Sequence, residues 1–332
     1  MSQSLKDPFA QQVQQLRAAY NDKRAQSNLT SSPGQRILNL DIATINGVTC
    51  YTYWYQPSGR CLRLAVIPGT LSGDILSLEQ NVPLSVLNGD FEIIGDQIRP
   101  LENIPPLPEP DDDSENLSAL LTSLPILDIH SDNVNPDKYF LKKSKYKSEI
   151  SGLLKCQGGS CPGAPKSPHV IQLLGRSRDG RLVFEKFKPR WLLVDIYPLA
   201  TYKEWIFQVI SGLKCLHSCG IIHRDLRIDN LVFSTDIVPR VIICDLESRW
   251  GNRLAPEISR EPVLDAGWTE MSDIYDLGGV IKGMIYGNVP ITHEVKWPIP
   301  PPFDTLVEAC TWESSEDCPS LDELYAMVEQ IK

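Results

Sequence analysis

Residues 223–230 read His-Arg-Asp-Leu-Arg-Ile-Asp-Asn, a polar loop set between two apolar segments of different period. Upstream, residues 201–219 place Trp205, Ile206, Val209, Ile210, Leu213 and Leu216 on one face of a 3.6-residue repeat. That pattern predicts a long amphipathic helix, which ends in Leu-His-Ser-Cys-Gly. Downstream, the run Leu-Val-Phe at 231–233 predicts a strand. A second apolar run, Val-Ile-Ile-Cys at 241–244, leads directly into Asp245. Helix, polar loop and strand, followed by a second strand ending in an aspartate, form the frame from which the rest of the chain is read.

The loop resembles the catalytic loop of protein kinases, H-R-D-L-x-x-x-N. Asp245-Leu246-Glu247 stands where that family has D-F-G, and Ala255-Pro256-Glu257 matches its A-P-E. Residues 272–281, SDIYDLGGVI, match the helix that anchors the helical lobe through an aspartate, here Asp273. Four motifs in the family's order are far more specific than any one alone. The resemblance implies an α+β, bilobal protein-kinase-like fold over 124–332, with a small β-rich N-lobe at 124–188 and a helical C-lobe at 189–332. It also implies ATP and Mg2+ as cofactors and a protein substrate.

Phosphoryl transfer passes through a loose, highly charged transition state, so a kinase mainly positions groups and neutralises charge. On the resemblance, Asp225 orients or accepts the proton of the attacking hydroxyl. Asn230 and Asp245 supply hard oxygen ligands suited to magnesium. Arg227 stands where serine/threonine kinases usually have lysine, and its guanidinium would reach the γ-phosphate. Lys142, ending the strand-like KYFLKK, falls at the family's V-A-I-K lysine and would hold the α/β-phosphates; Lys143 points to the opposite face. Glu149 on the following helix is its expected partner. Glu185-Lys186-Phe187 resembles the hinge, with Glu185 and Phe187 offering backbone groups to adenine.

The chain also departs from the pattern. No glycine-rich loop precedes Lys142, the glycine of D-F-G is Glu247, and Cys318 stands where an arginine would pair with Glu257. The stretch between Asp245 and Glu257 is short, and Ser248 is its only hydroxyl residue, so Arg224 has no phosphosite to grip. Glu247 is the nearest fixed acid that could take that place.

Before the kinase-like segment, Phe9, Val13, Leu16 and Tyr20 recur at helical spacing, which predicts a helical arm within residues 1–35. Residues 36–104 are β-rich and precede the kinase-like segment as a β-rich N-terminal extension of unknown role. In that region Asn46-Gly47 gives a hairpin turn ahead of VTCYTYWY at 48–55, and Asn88-Gly89 a second turn. Proline and acids over 105–123 read as an exposed linker. After it, PILDIH at 125–130 reads as a strand, and IQLLG and RLVFEKF pair as a hairpin around Asp179-Gly180.

The 332 residues include 42% hydrophobic and 22% charged, with a formal net charge of −10. That charge argues against a broad nucleic-acid surface. No apolar run reaches the roughly 18–20 residues of a membrane span. Nine scattered cysteines, with no leader-type start, fit free thiols in a cytoplasmic or nuclear setting. Cys215-x-His217-x-Cys219 lies on one helix, and no fourth ligand of matching spacing accompanies it, so zinc is not expected there. Cys156 and Cys161 read as free thiols in an irregular loop. Three functions follow from the whole: a protein kinase acting on serine or threonine, a pseudokinase that binds nucleotide or partners, and a small-molecule phosphotransferase. The A-P-E and SDIYDLGG segments argue against the third.

Overall fold

A computed structural model of the chain describes residues 7–26, 36–56, 60–67, 70–73, 89–107, 113–128, 136–159, 161–188, 193, 195–249, 255, 257–258, 267–287 and 298–332. Two compact units divide it, one of residues 1–11, 112–287 and 299–332, the other of residues 12–111 and 288–298.

The second unit is built on a five-stranded sheet in the order β1-β2-β3-β4-β5. Its strands are β1 (Arg36–Ile45), β2 (Val48–Gln56), β3 (Cys61–Ala65), β4 (Phe91–Ile94) and β5 (Gln97–Pro100). The expected hairpin closes between Ile45 and Val48. Its two turn residues, Asn46 and Gly47, have φ of +52° and +79°, the left-handed pair that matches the twist of the flanking strands. The chain pairs antiparallel throughout except between β3 and β4, which run parallel. β2 is buried on both faces. Tyr53 and Tyr55 pack with Leu62, Leu64, Phe91 and Ile93 on one side, and Trp54 packs with Cys61 and Leu101 on the other. Gly89 has φ +95°; Asn88, the other half of the expected second turn, lies outside the described residues.

The first unit has the expected α+β plan, a small β-rich part followed by a larger helical part. Three strands, β6 (Tyr139–Lys142), β7 (Leu173–Arg176) and β8 (Leu182–Glu185), form an antiparallel sheet in the order β6-β8-β7. The segment 125–128 corrects the strand expected there. It makes only an isolated bridge, Ile126 to Arg176, held by Arg176 N–H on the Pro125 carbonyl and Leu127 N–H on the Arg176 carbonyl. Pro125 has no N–H to extend the ladder, and it crosses where Gly175 lets the backbones approach: a Cβ there would lie 2.5 Å from the Pro125 oxygen. Residues 129–130 lie outside the described residues.

The linker also holds more order than its composition suggests. It contains the short helix α2 (Ser118–Ser123), and Asp113 and Glu115 are engaged at the site below. The helices of this unit are α3 (Lys147–Cys156), α4 (Leu199–Ser218), α5 (Glu270–Tyr286), α6 (Asp304–Cys310) and α7 (Leu321–Gln330). α4 buries the stripe predicted for it, with Trp205 fully inside and its Nε1–H on the Pro239 carbonyl at 2.8 Å. α5 is apolar nearly all round, so it forms the centre of the helical part. A Thr269 capping box starts it and a left-handed Gly287 ends it, satisfying terminal groups that burial would otherwise strand. α1 (Pro8–Gln26) carries the predicted stripe, with Phe9, Ala10 and Val13 buried; Tyr20's side chain lies outside the described residues. Phe9 packs edge-on against Tyr202 and Phe303, with centroids 5.6 and 5.2 Å away. Among the described residues no helix is long and apolar enough to cross a membrane.

Candidate active site

Two short strands, β9 (Leu231–Phe233) and β10 (Val241–Ile243), pair as an antiparallel hairpin. The hairpin sets the polar loop before β9 beside Asp245 after β10. The Cys244 N–H on the Asn230 carbonyl, 2.9 Å, closes the contact. The loop hangs from one fully buried carboxylate. Asp273 accepts the backbone N–H of His223 and of Arg224, both at 2.8 Å, and faces His217 Nε2 at 3.0 Å. His223 in turn lies with Nε2 2.9 Å from the Cys244 carbonyl and accepts the Asp225 N–H at Nδ1, 3.3 Å. That pattern selects the tautomer protonated at Nε2.

Within this frame Asp225 and Asn230 come together. The Asn230 amide donates to the Asp225 backbone carbonyl at 2.8 Å and to its Oδ2 at 2.9 Å. Both Asn230 amide hydrogens are thereby directed at Asp225, which leaves the amide oxygen as the side chain's remaining group. Burial, with Asp245 adding, pushes the Asp225 carboxyl above its usual 3.8, against the opposing pull of Arg227, His223 and the Asn230 hydrogen bond. Arg227 is half exposed and pairs with Asp229 at 2.9 Å.

The other half of the site is centred on Lys142. Its ammonium lies 2.7 Å from Glu149 and 2.9 Å from Glu247, and it also donates to Asp245. The expected partner is therefore present despite its short spacing along the chain. α3 starts soon enough after β6 to bring Glu149 in, and Ser144 Oγ–H, 2.8 Å from Glu149 Oε2, orients it. Burial alone would lower the Lys142 ammonium, but the charges of Glu149 and Asp245 hold it well above its usual value. Glu149, almost fully buried, is pushed up by that burial, with Lys142 opposing. Oxygens of Glu149, Asp245 and Glu247 all lie within 4.8 Å of one another, so three carboxylates share a single cation.

Glu247 therefore corrects one expectation. It does not serve Arg224, whose guanidinium lies over the Trp268 ring at 5.9 Å. Glu247 turns to Lys142 instead, with its backbone carbonyl taken by Ser148 Oγ–H at 2.6 Å. The backbone there is unusual: Arg224, Asp245 and Ser248 have φ of +71°, +64° and +52°. Non-glycine residues adopt such angles only where the surroundings impose them, and the dense bonding on both sides of the site does so here.

Sequence reasoning missed the residues that hold α3 in place. Tyr146, just ahead of the helix, donates from its hydroxyl to Asp113 at 2.8 Å. The Lys147 N–H donates to Glu115 at 2.6 Å, an acid at a helix N-terminus where the dipole favours it. Arg249 covers the Tyr146 ring at 4.6 Å and lies 3.6 Å from both Asp113 and Glu115. The linker's acidic run contained the signal, but its composition alone pointed outward.

The remaining residues are placed as follows. Glu185 ends β8 opposite Tyr139 and is exposed, and Phe187 is half buried. The chain on either side of Phe187 is pinned by Lys186 N–H on the Lys138 carbonyl and by a reciprocal pair between Lys188 and Phe233. Residues 129–135, where a glycine-rich loop would fall, and Pro256 lie outside the described residues. Glu257 accepts the Thr269 hydroxyl at 3.2 Å. The Cys318 thiol, at the position where the family's arginine would fall, is pushed up to about 11 first by burial and then by Glu257's charge.

No protein-family model matches the chain. It is 34% identical over 92 residues to the stress-activated protein kinase JNK of Drosophila melanogaster, covering 25% of this chain and 25% of that one. It is 32% identical over 108 residues to the meiosis-specific serine/threonine-protein kinase mek1 of Schizosaccharomyces pombe, covering 26% and 24%. The chain thus spans about a quarter of the length of these two curated relatives. Among solved structures, the kinase domain of Mycobacterium tuberculosis PknI aligns at 19% identity and a TM-score of 0.38, over 50% of this chain and 73% of that one.

Proposed function

From its similarity to protein kinases we propose that the chain is a protein-kinase-like phosphotransferase that transfers the γ-phosphoryl group of ATP to a serine or threonine hydroxyl of a protein. One observation carries the reading: Lys142 Nζ is 2.7 Å from Glu149 and hydrogen-bonded to Asp245, while Asn230 Nδ2 is 2.9 Å from Asp225 Oδ2. A cation for phosphates, an acid for metal and an acid for the incoming hydroxyl thus arise from three separate chain segments, with Glu149 added from a fourth.

The donor set suits Mg2+. The Asp245 carboxylate and the Asn230 amide oxygen are hard oxygens, and the Asn230 NH2 is already committed to Asp225. When bound, the metal would neutralise charge on the phosphates. The chain's own residues do the rest in this proposal. Lys142, positioned by Glu149, takes the α/β-phosphates. Asp225, its carboxylate held by the Asn230 amide, orients the hydroxyl and accepts its proton. Arg227 exchanges Asp229 for the γ-phosphate, and the segment Glu185–Phe187 receives adenine.

A second reading, a pseudokinase that binds nucleotide or partners without turnover, is favoured by Glu247, which occupies the Lys142 ammonium at 2.9 Å. Incorporation of label from γ-labelled ATP into a generic protein substrate separates the two. Wild type should exceed Asp225→Asn by about 10²–10⁴, the usual contribution of a general base. Equal trace incorporation by both proteins, with Mg-ATP still raising the melting temperature, would establish the pseudokinase instead.

A further inference from the structure

The cysteine pattern on α4 gains a third member in space. Cys215 and Cys219 lie one turn apart, joined by the Cys219 N–H on the Cys215 carbonyl at 3.2 Å. His217 between them faces the other way, to Asp273. Cys156, the last residue of α3, meets the pair from the opposite side. Cys219 Sγ is 3.7 Å from the carbonyl of Lys155, the residue before Cys156, and the Cys219 thiol is near enough to Cys156 and Cys215 to raise both. Lys166 joins the two helix ends: its N–H donates to the Cys156 carbonyl at 2.7 Å, and its ammonium donates to Cys219 Sγ at 3.4 Å. All nine cysteines are free, and none of these three takes part in the chemistry proposed above.

We propose that Cys219 and Cys156 form a peroxide-responsive thiol pair that closes into a reversible disulfide between the C-terminal ends of α3 and α4. Cys219 reacts first because it is half-buried rather than buried and because the Lys166 ammonium donates to its sulfur at 3.4 Å. Its sulfur attacks one oxygen of hydrogen peroxide, the O–O bond breaks, and hydroxide leaves to become water, giving a sulfenic acid. The Cys156 sulfur then attacks the Cys219 sulfur. The S–O bond breaks, and the departing hydroxide takes up the Cys156 proton as a second water. Two thiols supply the two electrons that reduce one peroxide.

Cys156 is the resolving partner rather than the first target. It is fully buried, and burial, with the neighbouring thiols adding, pushes it up to about 12. Cys215 is disfavoured by geometry: Cβ atoms four residues apart on a helix are about 5–6 Å apart, against a mean of about 3.8 Å in a disulfide. Since α3 carries Glu149, the bridge would tether the helix that presents this acid to Lys142.

The test treats the reduced full chain with hydrogen peroxide, alkylates it, digests it without reductant and maps the linked peptides by mass spectrometry. A Cys156–Cys219 peptide that disappears with dithiothreitol is expected. Cys219 should be consumed faster than the exposed Cys161, and Lys166→Met should slow it several-fold while leaving Cys161 unchanged. Linkage of Cys219 to Cys215, sulfinic acid at Cys219 without any linkage, or consumption no faster than at Cys161 would each overturn the proposal. The readout is chemical, so it stands or falls apart from phosphoryl transfer.

Discussion

The loop at 223–230 and the cluster around Lys142 belong to one site but are built on opposite principles. In the loop each donor meets its own acceptor: Asp273 takes two backbone N–H groups and faces His217, and His223 and Asn230 pass hydrogen bonds onward. Around Lys142 three carboxylates converge on one ammonium, which leaves negative charge in excess. A satisfied network resists change, because every rearrangement strands a buried polar group. An overcharged cluster is poised to rearrange when a cation or an anionic ligand arrives, since shared partners can be exchanged at little cost. The loop therefore acts as scaffold and the lysine cluster as the responsive half.

That contrast can be broken by mutation. The largest effect on stability should come from Asp273→Ala, which strands three donors around a fully buried carboxylate position. A loss of about 3–5 kcal/mol is expected from chemical denaturation. Lys142→Met should follow at about 3 kcal/mol, because Glu149 is left buried without its cation. Glu247→Gln should change stability by less than about 1 kcal/mol, and by freeing Lys142 should tighten Mg-ATP binding, read as a larger ligand-induced shift in melting temperature. Were Glu247→Gln to cost as much as Asp273→Ala, the two halves would not differ as described.

A fourth test concerns pH. Asp225 titrates above 3.8 in the folded chain, so its favourable share of stability exists below 3.8 and is lost as pH rises through the folded value. Asp225→Asn should therefore melt no lower than wild type at pH 7, with any advantage vanishing below pH 3.8. In wild type the acid limb of kcat/KM should lie above 3.8. The smallest effect belongs to the acidic strap. Asp113→Asn with Glu115→Gln removes contacts to Tyr146, Lys147 and Arg249, and activity should fall by only a few-fold because the ion pairs are long and partly exposed.

Much of this site could be read from the chain, and the reasons are local. The predicted α4 stripe, the Asn46-Gly47 turn and the strands flanking residues 223–230 each follow from a period or a turn chemistry confined to a few neighbours. The Lys142–Glu149 contact was legible because strand and helix adjoin. What could not be read is where a charged side chain goes once the backbone leaves the common angles. The positive φ of Asp245 and Ser248 redirects Glu247 from Arg224 to Lys142, and nothing in Asp-Leu-Glu announces it. The strand expected at 125–130 shrank to one bridge because Pro125 and Gly175 meet across it. The thiol trio was invisible as a line of text, since Cys156 comes from another helix. In the same way, proline and acids described the composition of the linker but not the docking of Asp113 and Glu115.

The seat of Phe9 against Tyr202 and Phe303 bears on how the molecule is assembled during synthesis. Phe9 is translated long before Phe303, so one wall of its pocket does not exist until residue 303 has been made. Phe9 therefore cannot take its seat until the later part of the helical unit exists, and its docking follows that unit's packing rather than nucleating it.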